Sequence, residues 1–291
     1  MPQKHNSPGK RKVAIQGDFG SFHEIAARKY FAGESVEIIP CLTFSGLFEN
    51  VLKGNACCAV MAIENSVAGS LIPNYSLIKN SDLRITGEVY IRIVQNLLAL
   101  PGEKLENIKM VYSHPMAILQ CQDFLEPMRQ KGVEIIESVD TALSAKMISE
   151  KGLKGCAALA SELAAGMYGL EIVAGGVESN RRNYTRFLVV EPSVTIEPIS
   201  PGKPNKASLC FTLPHKSGSL SQILSILAFY GINLTKIQSL PIVGREWEYF
   251  FYLDIVFDDH EMYSRSLSAV RPLIDQFSIL GEYQGGDLQN E

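Results

Sequence analysis

Cys57-Cys58-Ala59-Val60-Met61-Ala62-Ile63 carries no charge and no alternation of polar with apolar residues. A half-exposed strand alternates, whereas an unbroken apolar run of strand length belongs inside a parallel sheet covered on both faces by helices. The neighbouring sequence supplies the rest of such a layer. Lys12–Gln16 reads as a strand, Gly17–Ser21 as a turn and His23–Phe31 as a helix. Val36–Ile39 is a second strand, after which Thr43 caps an amphipathic helix bearing Phe44, Leu47, Phe48 and Val51. The alternation recurs downstream: strands at 108–112, 133–136 and 156–159, helices at 115–129, 140–150 and 161–167. This order argues for an α/β fold with mostly parallel sheets in two lobes. Arg84 to Leu100 is extended and reads as the crossover between the lobes. The strand after Thr185 returns to the first lobe and leaves a cleft between them.

A boundary follows Glu191-Pro192, with Pro198, Pro201, Gly202 and Pro204 forming a linker. Beyond it the pattern becomes strand 206–213, helix 219–230, strands 234–240 and 247–257, helix 260–272 and strand 276–283. That β-α-β-β-α-β order is the ferredoxin-like arrangement, a small α+β sheet backed by two helices.

Composition narrows the function classes. The 291 residues are 46% hydrophobic and 20% charged, a globular balance. A formal charge of -4, with scattered basic residues, excludes nucleic acid as an expected partner. Six cysteines without a Cys-x-x-Cys pair, most in apolar runs, read as buried thiols and give neither a metal site nor a disulfide framework. No secretory signal follows the polar first residues, Met1 to Gly9, which read as a loose tail. The longest apolar run, around Gln95–Leu100, is too short to span a bilayer, so the expected location is the cytoplasm.

Chemistry-bearing residues gather at strand ends. Asn183-Tyr184-Thr185-Arg186-Phe187 enters the apolar Leu188-Val189-Val190, and its adjacent hydroxyl and guanidinium can hold a small anion. Glu64-Asn65-Ser66 through Gly69-Ser70 closes the opening apolar strand, with donors free to line a pocket; a plain turn capped by Ser70 is the alternative. Gly17 to Ser21 offers two glycines and a hydroxyl that can cradle an anion, but no dinucleotide fingerprint. His114, before Pro115, is read as structural. No Ser-His-Asp order, metal cluster or phosphate loop is present, which points to a small carboxylate-bearing ligand and no cofactor.

These segments resemble the prephenate dehydratase family. The resemblance is carried by Ile63-Glu64-Asn65-Ser66 with Gly69, by Ser113-His114-Pro115 with Gln120-Cys121, and by Ala160-Ser161 through Tyr168-Gly169-Leu170. Asn183 with Thr185-Arg186-Phe187 completes it. The resemblance implies a two-lobed, periplasmic-binding-type catalytic domain at 11–195, with lobe 1 at about 11–90 and 177–195 and lobe 2 at about 91–176. An ACT regulatory domain at 205–285 follows. With few residues ahead of the first strand, the monofunctional form is expected. The implied activity is conversion of prephenate to phenylpyruvate with loss of water and CO2, in phenylalanine biosynthesis. Thr185 is the implied catalytic hydroxyl, Arg186 the carboxylate anchor, and Asn65 and Ser66 complete the catalytic set. Ser21, Asn183 and Phe187 contact substrate, Phe187 by packing. The first motif keeps both glycines but has Ser21 where the family has Thr and lacks its proline; His23 departs from the family without an assigned role.

The ACT match implies a homodimer or homotetramer that binds phenylalanine through Gly218, Ser219, Leu220, Asn233, Gln238, Ser239 and Pro241. Gln238 and Leu240 stand where the family carries Glu and Arg, which weakens the expected inhibition. Arogenate dehydratase is the near alternative, and a non-catalytic small-molecule binding or sensing protein the distant one.

Overall fold

The computed structural model describes residues 10–193 and 203–286. The expected N-terminal tail and the linker residues Pro198, Pro201 and Gly202 lie outside them. The first strands and helices are β1 (Arg11–Gln16), α1 (Phe22–Tyr30), β2 (Val36–Cys41), α2 (Phe44–Leu52), β3 (Cys58–Asn65), β4 (Gly69–Ser70), α3 (Ile72–Lys79) and β5 (Leu83–Arg92). Next come β6 (Asn96–Ala99), β7 (Met110–Ser113), α4 (Pro115–Gln120), α5 (Gln122–Gln130), β8 (Glu134–Glu137), α6 (Thr141–Lys151), β9 (Cys156–Ala160), α7 (Glu162–Tyr168), β10 (Glu171–Ala174) and β11 (Tyr184–Pro192). The last are β12 (Lys206–Thr212), α8 (Ser219–Phe229), β13 (Asn233–Pro241), β14 (Tyr249–Val256), α9 (His260–Val270) and β15 (Phe277–Tyr283).

The first lobe is built on a sheet of order β2-β1-β3-β11-β5, with β4 paired to β3. β1 runs parallel to both β2 and β3. From Cys58 to Ile63, β3 is buried on both faces, as its unbroken apolar run requires. The second lobe has the order β10-β6-β9-β7-β8. There β7 is parallel to β8 and β9, but β6 is antiparallel to β9 and β10, so this sheet is evenly mixed where mostly parallel pairing was expected. Its core is packed from Leu97, Val111, Leu125 and Leu159 on one side and from Leu98, Ala145, Ile148 and Ala158 on the other.

Local chemistry sets the boundaries. Thr43 caps α2, its hydroxyl accepting from Gly46 N at 3.1 Å. The helix expected over 115–129 is broken at Cys121, whose φ of -111° and ψ of 21° leave the helical region and separate α4 from α5. The extended passage from Arg84 is two strands, β5 and β6, joined by Ile93–Gln95. Ile93 N is held by Asn183 O at 2.7 Å, beside the return connection to β11. Ser70 belongs to the short strand β4, and α3 starts at Ile72, so no helix begins at Ser70 to point at the pocket.

The C-terminal sheet has the order β13-β14-β12-β15, antiparallel throughout. This is the ferredoxin-like topology, with Leu209, Phe211, Ile223, Leu227, Leu253 and Tyr263 in the core beneath its helices. Contacts divide the chain into two compact units, one of the described part of Met1–Leu71 and Val89–Phe187, the other of Ile72–Glu88 and the described part of Leu188–Leu288. α3 and the first part of β5 therefore group with the ferredoxin-like sheet. Inside that second unit, Lys206 Nζ contacts both Glu88 oxygens, at 2.8 and 3.0 Å, and Tyr75 meets Tyr252 edge-on at 5.2 Å. Gly281 lies flush against Ile85 O, where no side chain fits. No helix among the described residues is long and apolar enough to cross a membrane.

Candidate active site

A cavity of about 360 Å3 opens between the two lobes of the first unit. Its walls come from the ends of β1, β3 and β11, the N-terminal part of α1, the crossover at Ile93–Gln95, and the starts of α4 and α6. Strand alternation on β11 sets which residues reach it. Thr185 and Phe187 line the cavity, whereas Arg186 between them does not and is 5% exposed. The guanidinium expected to anchor a carboxylate thus sits away from the cavity wall.

Asn65 organises the wall. Its Oδ1 accepts from the backbone N–H groups of Val67, at 2.9 Å, and Ala68, at 2.8 Å. Only an oxygen can accept two N–H bonds, so the amide orientation is fixed and Nδ2 must face β11. Nδ2 donates to Thr185 Oγ1 at 2.9 Å and to Asn183 Oδ1 at 2.7 Å. The Thr185 hydroxyl thereby receives a hydrogen bond and makes no other to a described residue, which leaves its proton for a group in the cavity. A hydroxyl whose oxygen already accepts is a stronger donor.

Asn183 and Ser66 support this arrangement from behind. Asn183 is buried and does not line the cavity; its oxygen steadies Asn65. Ser66 Oγ donates to Arg182 O at 3.0 Å and accepts from Tyr184 N at 2.9 Å, stapling the loop before β11 to the end of β3. Both were expected among the residues meeting substrate; neither lines the cavity, and their side chains bind Asn65 and the connection into β11.

Ser21 lines the cavity and caps α1 through Glu24 N. The loop before it, expected to cradle an anion, has its N–H groups on acceptors within the protein, Gly17 N on Cys41 O at 2.9 Å and Gly20 N on Glu24 Oε2 at 2.7 Å. Asp18 pairs with Lys146 at 2.8 Å, Phe19 O accepts from the Tyr168 hydroxyl at 2.8 Å, and Gly20 lies against Ala164 of α7. Gly20 has a φ of +84°, and a Cβ there would come within 2.8 Å of the Ala164 Cα, so both conformation and space require glycine. The loop is a clasp between the lobes.

His23 gains a clear setting. Its ring stands edge-on to Phe187 at 4.9 Å, and Nε2 accepts from Ala62 N at 3.2 Å. Burial lowers its pKa from 6.5 to about 3, so the imidazole is neutral and carries its proton on Nδ1. His114 caps α4 by accepting from Met116 N, the structural role expected, and it also faces the cavity. The polar wall residues that escaped the sequence reading include Asp140 and Gln95. Asp140 caps α6 through Leu143 N and lines the cavity; burial raises its pKa, with Leu143 and Ala142 N–H groups opposing. It follows a strand end, β8, that resembles those singled out, and this was the available signal. Gln95 is a polar residue within the run Ile93-Val94-Gln95-Asn96-Leu97.

The prephenate dehydratase family profile matches residues 13–194, more than half of the chain. The chain belongs to the prephenate dehydratase family. It is 36% identical to arogenate dehydratase/prephenate dehydratase 1 of Arabidopsis thaliana over 84% of this chain and 64% of the plant protein, so it spans less than two thirds of that relative's length. Among solved structures, a protein described as a novel type of quorum quenching acylase aligns with a TM-score of 0.83 and 31% identity, over 94% of this chain and 98% of that one. The prephenate dehydratase of Arthrobacter aurescens, solved with L-Phe, aligns at 0.80 and 26%, over 94% and 90%.

A second cavity of about 360 Å3 lies in the ferredoxin-like domain of this family member. Ser219 and Leu220 line it with Lys216, Trp247 and Phe251. Gly218, at a φ of +85°, turns the chain into α8. Asn233, Gln238, Ser239 and Pro241 lie on β13, an edge strand, and do not line it.

Proposed function

We propose that this chain converts prephenate to phenylpyruvate in phenylalanine biosynthesis, with 11–195 as the catalytic domain and 205–285 as an ACT regulatory domain. The observation that carries the reading is the Thr185 hydroxyl, at the cavity wall, held by Asn65 with its proton uncommitted. In the reaction the C–C bond to the ring carboxylate breaks and releases CO2. Its electron pair enters the ring, and the ring C–O bond breaks. The hydroxide leaves with a proton as water, and aromatisation drives the step. Thr185 hydrogen-bonds the departing oxygen where charge develops; positioning and electrostatics provide the rate, because a hydroxyl is a weak acid. Ser21 and Phe187 bound the substrate, and Asn183 and Ser66 act by holding the β3 and β11 ends in place.

The test is prephenate turnover at neutral pH, where spontaneous aromatisation is slow, followed by formation of phenylpyruvate. Arogenate is run beside it, because the plant relative's name covers both substrates. Phenylalanine as the product, with prephenate inert, would assign the arogenate reading. An acyl-amide substrate is the third arm, motivated by the similarity to the described acylase; amide cleavage without dehydration would overturn the proposal.

For regulation, the complex of the Arthrobacter aurescens relative with L-Phe supports phenylalanine as effector. We infer that Gly218, Ser219 and Leu220 form one side of its site and that β13 residues Asn233, Gln238, Ser239 and Pro241 form the other, supplied across a homodimer or homotetramer in the cytoplasm. Calorimetry with phenylalanine and sedimentation of the protein test this together. No heat and a monomer would defeat it.

A further inference from the structure

Gln95 sits on the crossover between the lobes, is 2% exposed and lines the cavity. Its backbone is fixed on both sides: the N–H donates to Glu178 Oε2 at 3.0 Å, and the carbonyl accepts from Val177 N at 2.8 Å. The side-chain amide, by contrast, makes no hydrogen bond to any described residue: Oε1 is enclosed without a donor, and Nε2, also without a partner, is the atom of the amide that is not enclosed. A buried amide without a partner destabilises the fold, and native proteins keep few of them. A rigid backbone with an unpartnered amide facing a cavity is a ligand contact set in advance of binding.

The electrostatics of the wall indicate which ligand group it meets. Among the described residues no Lys or Arg lines the cavity, and Asp140 does. A carboxylate bound there meets no lysine or arginine at the wall. Asn65 is committed to Thr185 and Asn183. Gln120 Nε2 leans toward Asn65 Oδ1 at 3.5 Å. Two wall amides have no such commitment, Gln16 and Gln95; Gln16 is half-buried, and Gln95 is the buried one, on a backbone fixed at both sides. We propose that Gln95 is a substrate-binding residue whose side-chain N–H donates to a carboxylate of the bound acid. The assignment rests on the dehydratase reading above and replaces a charged anchor with an amide.

The test compares wild type with Gln95→Met, which keeps chain length and removes the amide, and with Gln95→Glu, which turns the donor into an anion. Prephenate kinetics and thermal melting with and without phenylpyruvate are measured on the full chain. Gln95→Met is expected to melt at or above the wild-type temperature, since an unpartnered amide is gone. Its KM is expected to rise roughly tenfold or more, with kcat changed by less than about threefold, and the phenylpyruvate-induced shift to shrink. Gln95→Glu is expected to raise KM further. A Gln95→Met protein that keeps the wild-type KM and ligand-induced shift overturns the assignment and leaves the dehydratase reading intact. So does a loss of activity that only parallels a fall in melting temperature. Should Gln95→Met not fold, Gln95→Glu carries the same comparison. Wild-type protein with neither turnover nor a phenylpyruvate shift overturns the reading and the assignment together.

Discussion

Three side chains at the cavity wall define its chemistry. Thr185→Val keeps the shape of the side chain and removes the hydroxyl, so it separates packing from proton donation. Loss of one donor aimed at developing charge costs roughly 100- to 1,000-fold in kcat. Steady-state kinetics should show this for Thr185→Val and a much smaller loss for Thr185→Ser; equal activity in all three would remove Thr185 from the mechanism. Asn65→Leu leaves Thr185 Oγ1 without its donor and the Val67 and Ala68 N–H groups without their acceptor. It should reduce both kcat and melting temperature. His23 makes the opposite kind of prediction. Its folded pKa of about 3 lies below the unfolded 6.5, so the unfolded chain binds a proton that the folded chain refuses. Stability from this residue is complete above pH 6.5 and is lost as pH falls toward 3. Denaturant melts across that window should show a shallower acid loss in His23→Gln, and the neutral limb of the activity profile should contain no His23 titration.

At the scale of elements, the loop from Gly17 to Gly20 and the strand β11 do the positioning. The loop joins the lobes through Asp18–Lys146 and through Gly20 packed on α7. Gly20→Ala imposes a left-handed conformation on a side chain that also meets the α7 backbone, a strain of about 1–3 kcal/mol. Chemical denaturation should record that loss, and an unchanged midpoint would show that the clasp yields. β11 delivers Thr185 and Phe187 to one face by its two-residue period. The Thr185 and Arg186 pair was legible in the sequence as a site, but its two members were assigned one task. Alternation sends them to opposite faces, which follows from knowing that the strand begins at Tyr184 and which face the cavity takes.

Across the whole molecule, the second compact unit is held by a buried ion pair. Lys206 and Glu88 are 5% and 1% exposed at the side chain, and Glu88 Oε1 also accepts from Gly286 N at 2.9 Å. Lys206→Met removes the ammonium and leaves a buried carboxylate, a change that costs about 3–5 kcal/mol. Adding Glu88→Leu should return much of that stability. A double variant as unstable as the single one would show that the pair is not the cause. The strands β5 and β11 each pass from one compact unit into the other, at Glu88/Val89 and at Phe187/Leu188. Chain order alone groups α3 with the first lobe; its contacts group it with the ferredoxin-like sheet.

The sequence by itself determined the layer pattern, because burial on both faces of β3 and the helical period of α2 are local consequences of residue type. It also determined the β-α-β-β-α-β order of the C-terminal domain and the family, through motifs whose residues are contiguous. Only the tertiary structure decided the members of the cavity wall. Asn65 and Thr185 are separated by 120 positions and meet because β3 and β11 are neighbours in one sheet. Asp140 and Gln95 come from connections whose direction no local pattern encodes. A sheet order brings strand ends together, and side-chain hydrogen bonds between them depend on that order rather than on propensity. For the same reason the Gly17–Gly20 loop, which reads as an anion cradle, becomes a clasp once α6 and α7 are placed against it.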